Sequence, residues 1–405
     1  MISINRGIHY LLHNRLQFCD SIVRTFFGWL PDKLYLSLRY RFNMGHWIDW
    51  KNPKTFTEKI QWLKIYNRRT VYTTMVDKYA VKQYVADRIG KEYIIPTLGV
   101  WDKAEDIDWD SLPEQFVLKT THGGGSGGVV ICKDKSMFDK SAAVMKLNES
   151  MMSDIYSNLR EWPYKNVPKR IIAEKFMAPV KETVQTDLPD YKFFCFNGEP
   201  KYCQVIRDRH FKETIDFYDM DWNHQEFVGL NSLNSLVRNG CTPVDRPEHL
   251  EEMIKVCKKL SRDIPFVRVD LYVVDDKEYF GELTFYPASG LGHFSPEDWN
   301  SYLGKMLTLP EFEKKIGRGG KYLIINNVID VYKKSYEELK DFKFFCFNGT
   351  VRFFKVDFGR FVEHHANYYD PDDKLLDFGE ADLAPVPDEK VELPDNLKEM
   401  VKLAE

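Results

Sequence analysis

Apolar and polar positions along the chain change period several times, and each change predicts an element. From the start to about Phe42, apolar clusters are interrupted at Arg15, Asp20 and Arg24, which predicts amphipathic helix on the way to Asn52-Pro53. A helical pattern opens behind a Thr cap at Thr57-Glu58-Lys59-Ile60-Gln61-Trp62-Leu63, and Asp77 through Arg88 continues as helix. Tyr93-Ile94-Ile95 predicts a short strand stopped by Pro96. Gln115–Lys119 and Gly128–Cys132 predict strands on either side of a glycine cluster. Further strands are expected at Ile171–Glu174, Lys192–Phe196, Val267–Leu271 and Tyr279–Leu283, with helices at Lys140–Ile155 and Pro247–Leu260. Hairpins mixed with helices give an α+β class, not an alternating β-α-β wheel.

Composition narrows the picture in three ways. At about 150 residues per domain, a chain of 405 residues holds more than one domain. Its 43% hydrophobic content, with 28 Phe, 22 Tyr and 9 Trp, excludes global disorder. The 57 Lys+Arg against 61 Asp+Glu leave a formal charge of −4, so no nucleic-acid partner is expected. The 7 Cys form no Cys-x-x-Cys pair, which argues for reduced thiols in a cytoplasm and against a disulfide framework or structural zinc. No signal peptide is expected, since the N-terminal segment has neither an unbroken apolar run nor a small-residue cleavage site. That segment is basic and amphipathic, so it either packs on its own domain or makes a peripheral contact with the inner face of a membrane.

The strongest local chemistry lies at Lys119-Thr120-Thr121-His122-Gly123-Gly124-Gly125-Ser126-Gly127-Gly128. Glycines let successive backbone N–H groups converge on an anion, and a Lys on the preceding strand adds a point charge for phosphate. No Gly-Lys-Ser/Thr follows, so the loop is not a Walker A motif. A flexible hairpin loop is the plainer alternative. A second set is Arg268 and Asp270, two apart on one strand, facing Glu282 and Thr284 on the next, with Asp275-Asp276-Lys277 as the turn. Such a hairpin offers hard oxygen ligands for Mg²⁺, with Arg268 for a transferring phosphoryl group; it also fits a plain salt-bridge patch. Ile171 to Met177 could form a hinge whose backbone reads an adenine edge, or simply a core strand. Asp190 and Lys192 share one strand face, suited to a ribose hydroxyl and a phosphate, before an Asn197-Gly198 turn.

In this order the pieces resemble the ATP-grasp superfamily, and more closely its TupA-like branch, found with teichuronopeptide and surface-polysaccharide gene clusters. The residues that carry the closer resemblance are Asn52 to Lys64, Val76-Asp77-Lys78-Tyr79-Ala80-Val81, Ile95-Pro96, Gly99-Val100-Trp101, Glu161-Trp162-Pro163-Tyr164, the Asp190 motif and Gly281-Glu282-Leu283-Thr284-Phe285-Tyr286-Pro287. The resemblance implies two α+β lobes clasping ATP, and transfer of the γ-phosphoryl to a carboxylate that an amine then attacks. It implies Lys119 and the loop Gly123, Gly124, Gly125, Ser126, Gly127 and Gly128 on the phosphates, Glu174 with Phe176 and Met177 on adenine, and Asp190 on ribose. Arg268 and Lys192 would stabilise the phosphoryl group, while Asp270, Glu282 and Thr284 would meet Mg²⁺. Thr284 departs from the Glu-x-Asn common in the superfamily. The acid would be a small molecule or glycan-linked, and the amine a group such as an amino acid. The rival readings are a polysaccharide glycosyltransferase and a nucleotide-binding relic without turnover. The first needs an Asp-x-Asp, and only Asp106-Ile107-Asp108 and Asp108-Trp109-Asp110 fit that spacing.

The chain also repeats itself: Asp190 to Gly198 returns as Asp341 to Gly349, and Phe217-Tyr218-Asp219 as Tyr368-Tyr369-Asp370. The expected division is a helical region over 1–50, a pre-ATP-grasp-like region over 51–110, nucleotide-binding lobes over 111–310 and an incomplete repeat of 170–260 over 311–405. That repeat has no counterpart of the glycine loop, Arg268, Asp270 or Glu282, and is expected to be an appendage or remnant.

Overall fold

In the N-terminal region, α1 (Arg15–Phe26) and α2 (Asp32–Met44) are tied by a buried ion pair, Arg39 Nε to Asp20 Oδ1 at 2.8 Å. The charges that interrupt the apolar pattern are therefore partly internal, and Val23, Tyr35 and Leu36 pack beside them. The computed structural model describes residues 15–125, 127–177, 190–207, 213–231, 237–240, 242–310, 341–347, 350–358, 365–372, 374–376 and 398. It divides into one unit over Met1–Ile316 and another over Gly317–Glu405.

Helix α3 (Phe56–Tyr66) starts at a capping box in which Thr55 and Glu58 satisfy each other's backbone N–H groups. The helix expected from Asp77 begins later. After α4 (Val71–Val76) the chain breaks, and Asp77 Oδ1 accepts from the N–H groups of Tyr79 (2.9 Å) and Ala80 (3.2 Å) to start α5 (Ala80–Ile89). The strand expected before Pro96 is also displaced. Lys91–Tyr93 forms a single tight turn and β1 (Thr97–Trp101) lies after the proline, which has no N–H to give a ladder.

Strands β2 (Phe116–Thr120) and β3 (Val129–Cys132) form the expected hairpin around the glycine loop. The helix expected over Lys140–Ile155 is two: α6 (Lys140–Met151), then α7 (Ile155–Leu159), restarted by Asp154, whose side chain accepts from Ser157 N. With β4 (Ile171–Lys175) the strands make an antiparallel sheet in the order β1-β4-β2-β3. Phe116, Leu118, Leu147 and Ile171 fill its core. Asp108 Oδ1 caps its own turn at Asp110 N and Ser111 N, so the Asp-x-Asp spacings there belong to a surface turn.

The larger sheet runs β11-β10-β5-β6-β7-β8. Its strands are β5 (Asp190–Phe196), β6 (Glu199–Arg207), β7 (Thr214–Asp219), β8 (His224–Gln225), β10 (Phe266–Val274) and β11 (Lys277–Thr284). Positive φ at Asn197 and Gly198, and at Asp275 and Asp276, is the geometry of tight hairpin turns between twisted strands. Helix α8 (Leu250–Ser261) buries Met253, Val256, Cys257 and Leu260 in the same core as Phe193, Phe194, Phe266 and α3's Phe56. A short pair of β9 (Val228–Asn231) with β12 (His293–Ser295), and α9 (Asp298–Met306), complete the unit. Cys132, Cys195, Cys203 and Cys257 are buried free thiols.

The second unit holds an antiparallel sheet of β13 (Asp341–Phe347), β14 (Thr350–Phe358) and β15 (His365–Tyr369). It repeats β5–β7 in register. Phe344 faces Phe354 as Phe193 faces Cys203, and Phe354 faces Tyr369 as Cys203 faces Tyr218. Even the irregularity between Phe194 and Cys195 recurs between Phe345 and Cys346.

Candidate active site

On the four-stranded side, Lys119 projects from β2 just before the glycine loop. Its Nζ lies 2.7 Å from Glu174 Oε2 on β4, and Lys82 Nζ from α5 lies 2.6 Å from the other carboxylate oxygen. Burial would raise Glu174's pKa, but Lys119 and Lys82 outweigh it and hold the carboxyl below its usual range. Two glycines let the loop come close: a Cβ at Gly128 would lie 2.3 Å from Ser150 Oγ, and one at Gly123 2.4 Å from Thr120 Oγ1. Those two hydroxyls hydrogen-bond at 2.8 Å. His122 is 3% exposed, and burial pushes its pKa down. Ser126 lies outside the described residues.

Lys78, named above only as part of a motif and given no chemistry, sits against the glycine loop. Its N–H donates to Thr121 O at 3.0 Å, and its Nζ donates to Gly123 O. Burial pushes its pKa down, and the charges it feels are Glu282 from the large sheet, then Lys119, Glu174 and Asp77. The break between α4 and α5 fixes this lysine: Asp77 holds the backbone on one side and pairs with Arg170 Nη2 at 2.8 Å on the other. An Asp-Lys step inside a helical pattern is the sequence signal for such a break.

On the large sheet, β10 runs antiparallel to both neighbours and aligns Asp270 with Lys192 on β5 and with Glu282 on β11; Arg268 aligns with Thr284. Arg268 grips Asp270 with two hydrogen bonds, at 2.6 and 2.7 Å, and reaches Glu282 at 3.1 Å and Thr284 Oγ1 at 3.0 Å. Lys192 pairs with both Asp270 and, at 2.7 Å, Asp190. Burial would raise the Asp270 carboxyl, but Arg268 and Lys192 overcome it and hold the group below its usual range. Arg268 and Lys192 thus share one ionic network with the three residues expected at Mg²⁺.

Two residues expected at ribose and metal are engaged by their neighbours in this structure. Asp190 is 5% exposed and in the Lys192 ion pair, so it belongs to the charged network. Thr284's hydroxyl serves Arg268 and Glu282. Phe176 and Met177 follow β4 half-buried. Among the described residues, no group of three or more His, Cys, Asp or Glu could hold a metal by itself. The donors still suit Mg²⁺, which is usually bound by one or two carboxylates together with substrate phosphates. Asp270 and Glu282 already converge on one cationic group, Arg268.

Two strand-borne cation–carboxylate sets, one of them beside a glycine hairpin that Lys78 braces, make up the candidate site. The sequence profile of the TupA-like ATPgrasp family matches residues 58–308 and 321–405, and the chain belongs to that family. A D-alanine--D-alanine ligase of Helicobacter pylori (strain P12) is 23% identical over 243 residues, 59% of each chain. The chain therefore spans about three-fifths of that curated relative's length. Among solved structures, it is similar to a D-alanine-D-alanine ligase from Helicobacter pylori (14% identity, 62% of this chain and 69% of that one, TM-score 0.34). It is also similar to the ATP-grasp ligase PsnB, complexed with a phosphomimetic variant of minimal precursor, Mg and ADP (8% identity, 62% and 61%, TM-score 0.31).

Proposed function

We propose that the chain is an ATP- and Mg²⁺-dependent ligase that activates a carboxylate by phosphoryl transfer and joins it to an amine, in the building of a cell-surface polymer or polysaccharide. The observation that carries this reading is the glycine hairpin with its lysines: Lys78 Nζ donates to Gly123 O, and Lys119 on the preceding strand is held by Glu174. Lys119 and Lys78, with the loop N–H groups, hold the triphosphate. Glu174 fixes Lys119, and the chain at Phe176 and Met177 takes the adenine. Asp270 and Glu282 hold Mg²⁺, which when bound supplies charge neutralisation at the phosphate oxygens. Arg268 and Lys192 face the transferring group and lower the cost of its charge. Asp190 orients Lys192 through their ion pair. The substrates proposed are a small or glycan-linked acid and an amine such as an amino acid, met in the cytoplasm, where ATP is supplied.

Release of ADP and phosphate on adding pooled amino acids and uronic-acid acceptors tests this reading, with coupled product identified by mass. ATP-independent hydrolysis of UDP-sugars would replace it with a glycosyltransferase. ATP binding without phosphate release under any acceptor would leave a nucleotide-binding relic.

A further inference from the structure

The inner faces of α1 and α2 bury Val23, Tyr35 and Leu36, with Leu30, Leu38 and Phe42 packed against them. The turn between the helices carries apolar side chains beyond what that packing uses. Phe26 is 69% exposed, Trp29 76%, Leu34 48% and Phe27 37%. The Phe27 and Trp29 rings lie 6.3 Å apart. Contiguous exposed rings of this kind mark an interaction surface rather than ordinary scattered surface hydrophobics.

This tip is held firmly. Arg160, 4% exposed, donates to Gly28 O. Asp32, at the start of α2, pairs with Arg160 at 3.1 Å and Arg68 at 2.6 Å, and accepts from the Tyr156 hydroxyl at 2.9 Å. The aromatic residues are presented by a braced turn.

Charge decides what the tip suits. Between residues 15 and 48 the acidic residues are Asp20 and Asp32, and both are paired with arginines inside the fold. The charges left at the surface beside the tip are Arg24 and Lys33, with Arg15 exposed at the far end of α1. Aromatic rings favour the headgroup level of a bilayer, and flanking cations are attracted by anionic lipid. A second copy of the chain would bring the same cations to a two-fold contact, where they repel. No described helix is long and apolar enough to cross a membrane, so the fit is to a surface contact.

We propose that the turn from Arg24 to Leu34 docks the protein on the surface of a bilayer containing anionic lipid, with Phe26, Phe27 and Trp29 in the headgroup layer. The proposal is independent of the catalytic reading, since none of these residues belongs to the site.

Co-sedimentation of the full chain with vesicles tests it, using pure phosphatidylcholine and equal parts phosphatidylcholine and phosphatidylglycerol. The expected result is binding to the phosphatidylglycerol vesicles and little to the neutral ones, weakened by about 0.5 M salt through screening. The double variant Phe26→Ser/Trp29→Ser and the double variant Arg15→Glu/Arg24→Glu should each weaken binding by roughly tenfold or more while the melting temperature stays unchanged. Failure of the wild type to sediment with either vesicle would overturn the proposal, as would unchanged binding in both variants. Light scattering that shows a dimer without vesicles, lost in Phe26→Ser/Trp29→Ser, would reassign the tip to contact between copies.

Discussion

Asp270 on β10 stands directly opposite Lys192 on β5, and the two side chains form an ion pair that is almost closed to water. With Arg268 on its other side, Asp270 is the anion shared by the two cations expected to face the transferring phosphoryl group, while Asp190 also pairs with Lys192 and Glu282 with Arg268.

Asp270→Asn removes that anion and leaves Arg268 and Lys192 undercompensated. ATP turnover, read as phosphate release, should fall by about a hundredfold or more. Stability should fall by roughly 3 kcal/mol, the usual order for breaking one side of a buried pair. Because Asp270's folded pKa is depressed, its contribution is present above the unfolded carboxyl value near ~3.9 and is lost as pH falls below it. Acid unfolding of the wild type below about pH 4 should therefore be steeper than that of Asp270→Asn. Full activity in this variant would refute the metal and phosphoryl assignment.

Lys119 and Lys82 both hold Glu174, but their side chains differ in exposure, 26% against 13%. Lys119→Ala leaves Glu174 paired with Lys82, so turnover should be lost while stability changes by no more than ~1 kcal/mol. Lys82→Ala should instead cost a few kcal/mol, since that lysine also donates to Ile95 O. Urea midpoints beside phosphate-release rates separate the two effects.

Lys78→Met keeps the length of the side chain and removes its charge. ATP binding, measured by calorimetry, should weaken by about tenfold or more, equal to ~1.4 kcal/mol or greater. Unchanged affinity would mean that Lys78 only braces the loop.

Lys64 on α3 is fully buried, its Nζ donating to Leu159 O, Ser289 O and Ser289 Oγ at 2.9, 2.9 and 2.6 Å. Burial pushes its pKa down to about 7. The unfolded chain keeps this proton up to about pH 10.4, so the group's penalty is full below pH 7 and relieved as pH rises through that window. The stability difference between wild type and Lys64→Met should move in the wild type's favour from about pH 7 to about pH 10, read from urea unfolding. A flat difference would show that Lys64 is charged throughout.

What the sequence made legible was local. The Gly123–Gly128 hairpin and the Asp275-Asp276 turn could be placed because turn residues sit between period-two strands. Spacing alone put Arg268 with Asp270, and Asp190 with Lys192, on common faces. It could not show that β10 would lie beside β5, and so it could not foresee Asp190, Lys192 and Asp270 as one network. Lys78 and Lys82 were hidden for the same reason. On a helical pattern they show no partner, and only the tertiary fold brings Lys82 to Glu174 on β4 and Lys78 to the carbonyl of Gly123. Pro96 misled in the other direction, because a proline can open a strand as well as end one.

The β5–β7 meander occurs twice with the same pairings and the same irregularity, although in the second sheet, among the described residues, no strand takes the place of β10. Its register is therefore written in its own residues and hairpin turns. The charged seam is written elsewhere, in the long-range pairing that brings Asp270 to Lys192. The meander and the charged seam are encoded separately in this chain, so one can be copied without the other.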